Sequence, residues 1–266
     1  MQNILLIFLA FIPALIHPGQ IHAIADDIDI TGQWVRIGPA GPMALNFKSD
    51  GTVEGDFGND RTIEIVSEYS IIGDRIIFND KEGVACPDPG KYKIHLNEYY
   101  IAFDLIEDNC AGRLRSTMGF WVRPDFNDLL SKLSDDIANA ADPEDLLNRA
   151  RMYMAIGKSA EARQDLDQYI KHDPSDARVF VNRAGTRFPG DLQGVVEDCN
   201  KALALEPDNK NAYFLRGLAS YELGNKEQAC EDFYRAIELG FVILKEAEHE
   251  KCSEYWESHP SESVSP

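Results

Sequence analysis

Two prolines, Pro174 and Pro207, stand 33 residues apart, and similar residues precede each. A period in that range marks a chain built from stacked copies of one small unit, and it constrains the fold more than any other feature here. Alignment on the prolines gives three units. The first carries Pro143, Leu146, Arg149, Ala150, Tyr153, Gly157, Ala162, Leu166, Tyr169 and Pro174. The second carries Phe180, Arg183, Ala184, Gly190, Val195, Cys199, Ala202 and Pro207, and the third Tyr213, Arg216, Gly217, Tyr221, Gly224, Ala229, Phe233, Ala236 and Gly240. Each unit predicts two antiparallel helices. Ala150, Ala184 and Gly217 on the first helix, with Ala162 and Ala229 on the second, allow a close crossing that Leu166 and Phe233 fill from the side. Gly157, Gly190 and Gly224 are expected just past the first helix, in the left-handed conformation that ends it cheaply.

This pattern resembles the tetratricopeptide repeat family, most fully in the third unit. The resemblance implies an all-α stack whose concave face, formed by the first helix of each unit, binds a protein or peptide. The second unit departs from it. Its turn, Thr186 to Gly190, is one residue short, and Pro189 predicts an early end to the first helix. No unit buries its apolar face alone, so the ends need caps. Phe126 to Ala140, with Leu129, Leu130, Leu133 and Ile137 on one face, predicts a helix over the N-terminal edge. Phe241 to Trp256 would cover the other end. The expected boundaries are a linker with capping helix at 125–142, units at 143–176, 177–209 and 210–240, a C-terminal capping helix at 241–256 and a disordered tail at 257–266.

The N-terminus sets the compartment. Ile4 to Ile16 is almost continuously apolar, Ala23-Ile24-Ala25 offers small residues for cleavage, and Asp26-Asp27 starts a soluble chain. The apolar run is shorter than the roughly 18 to 20 residues of a spanning anchor, so residues 1–25 read as a signal peptide cleaved after Ala25, with no membrane span left afterwards. An uncleaved anchor is the alternative, favoured by the missing Lys or Arg at the start. The expected location is periplasmic or secreted. Residues 26–123 hold 17 acids against 10 bases and the remainder 28 against 16, for a net charge of −19. Such a chain repels nucleic acid and anionic lipid. Export makes the five cysteines candidates for disulfides. Cys230 lies on the face that meets the C-terminal cap and Cys252 on the cap, which pairs them; Cys199 is then a buried thiol at a core position.

Between residues 26 and 124 the helical period gives way to strand signals. Gln33 to Ile37 alternates polar and apolar, Phe47 to Val53 holds an Asp-Gly hairpin, and Ile63–Ser67, Arg75–Phe78, Tyr92–Leu96, Tyr99–Leu105 and Leu114–Val122 continue the series. Gly73-Asp74 and Asn97-Glu98 sit at turns. About eight short strands predict an up-and-down meander closing into a small barrel. Gly32-Gln33-Trp34 near one end and Trp121-Val122-Arg123 at the other resemble the lipocalin-like (calycin) arrangement, which implies that Trp34 closes one barrel end under a basic side chain from the last strand. Cys86 and Cys110 stand where small bacterial lipocalin-like domains carry a cysteine pair. A disulfide there would stabilise by roughly 3 to 4 kcal/mol. So small a barrel can fill its interior with side chains, and that is the expectation.

The fold class is therefore two-domain: an N-terminal all-β antiparallel barrel and a C-terminal all-α repeat stack. No catalytic motif appears. His95, His172, His249 and His259 lack metal-ligand spacing, the Asp-rich segments lack a calcium loop's Gly and terminal Glu, and there is no P-loop, G-x-S-x-G or dinucleotide fingerprint. The chain reads as a non-enzyme with no cofactor and no metal. The groove candidates are Asn148, Arg151, Asn182, Asn211, Phe214, Leu218 and Tyr221, with Leu147, Met154 and Val181 beside them. Asn148 and Asn182 would hold an extended backbone, and Phe214 with Tyr221 an apolar side chain. Leu147, Asn211 and Leu215 stand where a carboxylate clamp needs other residues, which disfavours capture of a C-terminal carboxylate. The function read from this is an exported adaptor binding a protein or peptide. The second reading is a carrier holding a small apolar ligand in the barrel while the repeats dock a partner.

Overall fold

The computed structural model describes residues 28–38, 41–83, 86–139, 142–241, 252–253 and 255–257. The expected signal segment, most of the C-terminal cap and the tail beyond 257 lie outside them. The chain has two parts, an eight-stranded antiparallel sheet and a set of helical hairpins.

The strands follow sequence order: β1 (Gly32–Gly38), β2 (Gly41–Phe47), β3 (Thr52–Asp56), β4 (Ile65–Ile72), β5 (Arg75–Gly83), β6 (Gly90–Leu96), β7 (Ile101–Glu107) and β8 (Gly119–Trp121). The Asp-Gly turn joins β2 to β3, with Gly51 at φ +85°. A bridge between Val35 and Val122, with N···O distances of 2.8 and 3.0 Å, returns the last strand to the first and nearly closes the barrel. Alternate residues point inward: Trp34, Met43, Leu45, Phe47, Val53, Ile76, Phe78, Tyr92, Ile94, Ile101, Phe103, Leu105 and Trp121 form one core. Phe47 lies among Tyr69, Phe78 and Phe103, with ring centroids 5.1, 6.2 and 6.3 Å away. The expected basic cover on Trp34 is present, as the Arg123 guanidinium lies 3.8 Å from its ring centroid.

The segment Leu114–Val122 corrects the strand expectation. Residues Ala111–Thr117 form helix α1, and only Gly119–Trp121 is strand. The reason is long-range. Arg113 on α1 donates to both oxygens of the buried Asp108 (2.6 and 2.9 Å), to Asp80 (3.0 Å) and to the Asp88 carbonyl (2.6 Å). Cys110, just before the helix, is bonded to Cys86 at a Cα separation of 6.0 Å. Those ties hold α1 across one barrel end, where Leu114 enters the core.

The helical part begins with α2 (Phe126–Ala138), followed by the hairpins α3 (Pro143–Ala155) with α4 (Ser159–His172), α5 (Ala177–Arg187) with α6 (Leu192–Leu205), and α7 (Lys210–Glu222) with α8 (Lys226–Glu238). Asp142, Asp176 and Asn209 cap the first helices by accepting from backbone N–H groups. Helix α5 has 11 residues against 13 in α3 and α7. Gly157 and Gly224 take positive φ, but Gly190 does not: Phe188 ends α5 in extended conformation before a cis Pro189. Close crossing at Gly217 is required, because an added Cβ would meet the Phe233 ring at 2.6 Å.

One polar device recurs in every unit. Arg149 forms a bidentate pair with Asp165 (2.7 and 2.8 Å), Arg183 with Asp198 (2.5 and 2.9 Å) and Arg216 with Asp232 (2.6 and 2.9 Å). Each arginine also reaches the preceding helix, through Ser134, Asp167 and Asn200 at 3.0, 2.6 and 2.6 Å. The sequence offset within a pair is 16 residues in the outer units and 15 in the middle one, the residue that its turn lacks. Cys230 is bonded to Cys252 with Cα atoms 5.5 Å apart, and Cys199 is free and buried, its thiol pushed up to about 12 by burial.

The two parts share a core. Tyr99, Tyr100, Ala102 and Val122 from the outer face of the barrel pack with Leu130 and Leu133 of α2 and Met152 and Ala155 of α3, with Val35, Phe120 and Ile156 at the edges. The barrel is thus seated on the first hairpin.

Candidate functional site

The docked barrel divides the concave face. Over the first unit the groove is filled by the chain itself. Asn97 in the β6–β7 turn donates to the Asn148 side-chain oxygen at 3.1 Å, and Arg151 donates to the Tyr100 hydroxyl at 2.6 Å. Both Asn148 and Arg151 are buried, Leu147 belongs to the core beneath, and Met154 packs at its edge.

At the other end, Phe214, Leu218 and Tyr221 pack against Ala229, Phe233, Phe241 and Cys252. The half-buried Phe214 ring stacks on Phe241 with centroids 4.4 Å apart.

Between these ends lies a cavity of about 290 Å³. Its helical wall comes from Arg151 on α3, Arg178, Val181 and Asn182 on α5, and Asn209 and Asn211 at the start of α7. The barrel supplies the opposite wall through His95, Tyr100, Ala102, Asp104 and Phe120. Of the seven sequence-derived residues, the structure brings Arg151, Asn182 and Asn211 together here. Asn148 lies against the barrel, and Phe214, Leu218 and Tyr221 lie at the cap.

Two side-chain pairs line the cavity. His95 Nε2 lies 2.8 Å from Asp104 Oδ2, and Arg178 is held by both oxygens of Asp176. The hydrogen bonds it donates to Asp176 hold the Arg178 guanidinium above its ordinary pKa, which keeps it charged. Arg151 is different. Its guanidinium sits over the Tyr100 and Phe120 rings at 5.4 and 5.8 Å, and its nearest carboxylate, Glu144, is 3.8 Å away. Its Nε and the Nδ2 of Asn182 are buried with no acceptor. The barrel half of this site was missed by reading the helices alone. A signal was present, because Tyr99 to Phe103 is apolar at every position, as a strand buried on both faces must be.

Among the described residues, the space that enters the barrel interior is far smaller. The cavity lined by Leu45, Val53, Phe57, Phe78, Asp80 and Arg113 is about 20 Å³, close to one water. Among the described residues, one group of three acidic side chains gathers closely, Asp56, Asp60 and Glu64. Asp56 accepts from the backbone N–H groups of Gly58, Asp60 and Arg61, Glu64 from that of Phe57 and Asp60 from that of Thr62, so they hold their own loop. No helix of the described residues is long and apolar enough to cross a membrane.

Two family models, both described as tetratricopeptide repeat, match residues 146–176 and 199–240. Both matches fall in the helical part, on the tetratricopeptide repeats formed by α3 with α4 and by the end of α6 with α7 and α8. RNA polymerase II-associated protein 3 of Xenopus laevis is 34% identical over 113 residues, 41% of this chain and 17% of that protein. Mitochondrial import receptor subunit TOM70 of Homo sapiens is 31% identical over 101 residues, 36% of this chain and 17% of that protein. The chain thus spans about a sixth of the length of these relatives. Among solved structures, the first TPR of Spaghetti (RPAP3) bound to HSP90 peptide SRMEEVD is 28% identical, with a TM-score of 0.40 over 43% of this chain and 93% of that one. A crystal structure of MamA is 19% identical, with a TM-score of 0.46 over 58% and 86%.

Proposed function

We propose that this chain is an exported, non-catalytic adaptor that holds an extended segment of a partner protein in the groove of its second and third repeats. The observation that carries this reading is the cavity that crosses from α5 to α7, where Val181, Asn182 and Asn211 remain on the open part of the face. Tetratricopeptide repeats provide such grooves, and side-chain amides suit an extended backbone because each both donates and accepts. Export rests on the apolar run Ile4–Ile16 and the small residues before Asp26, and two disulfides fit an oxidising compartment. The barrel, read as a lipocalin-like module from its Trp34–Arg123 crossing, acts as a wall of the groove. The carrier alternative has little support, since its interior is occupied by aromatic side chains.

A photo-crosslinking residue placed at Asn211 of the full chain, expressed in its own host, tests this. A discrete protein adduct is expected from Asn211 and not from Gln168, which is exposed on α4. The chain within that adduct is expected to begin at Asp26. Equal adducts from both positions, or none from Asn211, would contradict the groove; an intact N-terminus would contradict cleavage.

A further inference from the structure

We infer that the cavity at the junction of barrel and repeats receives a basic side chain, a lysine or an arginine, from the bound segment. This rests on the groove reading above and specifies its chemistry. The principal donors of the lining are engaged or hidden, which leaves acceptors. Asn182 lines the cavity with its Nδ2 buried, so its oxygen is the polar atom it can offer. The Asn209 Nδ2 donates to Glu206 at 2.9 Å, and the Arg178 Nε and Nη2 donate to Asp176. The Arg151 Nη1 donates to the Tyr100 hydroxyl, and its Nε is buried. On the barrel wall the Asp104 side chain is open, 62% exposed.

The charge decides which donor fits. Asp104 has no permanent cation beside it: its ion-pair partner among the described residues is His95, with Nε2 at 2.8 Å. Lys93 stands opposite Asp104 in the β6–β7 register, but its ammonium lies at Asp74 (3.5 Å). Lys210 reaches the Leu105 carbonyl instead (3.4 Å). The two arginines of the lining each have another carboxylate, Asp176 for Arg178 and Glu144, at 3.8 Å, for Arg151. Asp104 is therefore the carboxylate left to a ligand. A lysine ammonium brings three donors and an arginine guanidinium five, both with the matching charge, whereas a neutral amide group brings two and no charge. An acidic side chain would meet Asp104 as a like charge, which costs affinity. The net charge of −19 favours the approach of a basic segment.

The test is a nitrogen-15 correlation spectrum of the full chain, read at the Asp104 backbone amide and the Asn182 side-chain amide. Three peptides are titrated: acetyl-Ala-Lys-Ala-amide, acetyl-Ala-norleucine-Ala-amide, which keeps the stem without the charge, and acetyl-Ala-Glu-Ala-amide. The Lys peptide is expected to shift both resonances saturably, and the other two are not. Asp104→Asn keeps an acceptor for His95 but removes the charge, and is expected to weaken the Lys peptide at least about tenfold, the loss of one charge-assisted bond. Glu161→Gln removes the same unit of charge from an exposed position on α4. It should leave the affinity within about twofold, because at physiological salt charges more than about 8 Å away are screened. No shift from the Lys peptide, equal shifts from the norleucine or Glu peptide, or equal weakening by Glu161→Gln would overturn the inference. Adducts from Asn211 that are unchanged by Asp104→Asn would leave the groove standing and remove the basic side chain.

Discussion

Asp198→Ala should destabilise the protein by about 3 to 5 kcal/mol, the usual cost of removing one partner of a buried ion pair. Asp198 is only 2% exposed and faces two guanidiniums, in a bidentate pair with Arg183 and with Arg187 Nε at 3.0 Å. Its removal leaves Arg183 buried and reaching only Asp167 on the preceding helix. The contacts among the first, second and third hairpins would loosen together, because each stacks only on its neighbours. Thermal unfolding should fall by roughly 10 °C for a chain of this size. The double variant Asp198→Leu/Arg183→Met should recover part of the loss, since apolar groups of similar volume replace the pair at little cost. A loss below about 1 kcal/mol for Asp198→Ala would show that the arginine ladder is surface decoration.

Phe47→Ala should cost about 3 to 5 kcal/mol, the range for truncating a buried aromatic. Phe47 is 1% exposed and touches aromatic rings from three other strands, so the barrel cannot collapse onto the gap without moving them. The gap would be apolar and dry, able to take benzene or xenon. The wild-type barrel, filled to within about 20 Å³ at the cavity beside Phe78, should take neither. Calorimetry for stability and xenon-shifted resonances for the cavity check both halves. Xenon or benzene entering the wild-type barrel as readily as the variant would restore the carrier reading.

Much of this architecture is legible in the sequence where the controlling interactions are local or periodic. The repeat spacing locates the hairpins, and Pro189 shortens α5. The period-2 pattern and Asp-Gly turn locate the meander, and both cysteine pairs meet. What failed depends on contacts across the chain. Leu114 has the company of strand formers, but Arg113 anchored to Asp80 and Asp108 makes that stretch a helix. Gly190 occupies the expected glycine position, yet the extended Phe188 ends the helix first. The groove shows the same limit. Alignment selects the concave positions as a row, but which of them stay open depends on what docks there. Asn148 and Arg151 meet the barrel and Phe214 meets Phe241, so the open set shrinks to the middle. The apolar outer side of the barrel along β7, β8 and β1 and the residues flanking them carried that information, in Tyr100, Ala102, Phe120, Val122 and Val35.

The seating of the barrel on the first repeat decides which part of the groove a partner can reach, and a double-mutant cycle across that junction tests it most directly. The cycle combines Tyr100→Phe with Arg151→Met, read by urea unfolding. The hydrogen bond between the two side chains spans 2.6 Å and joins residues 51 apart in sequence. A docked barrel predicts a coupling of about 1 kcal/mol or more between the two substitutions. Strict additivity, within about 0.3 to 0.5 kcal/mol, would contradict the docked arrangement and return the whole concave face to solvent.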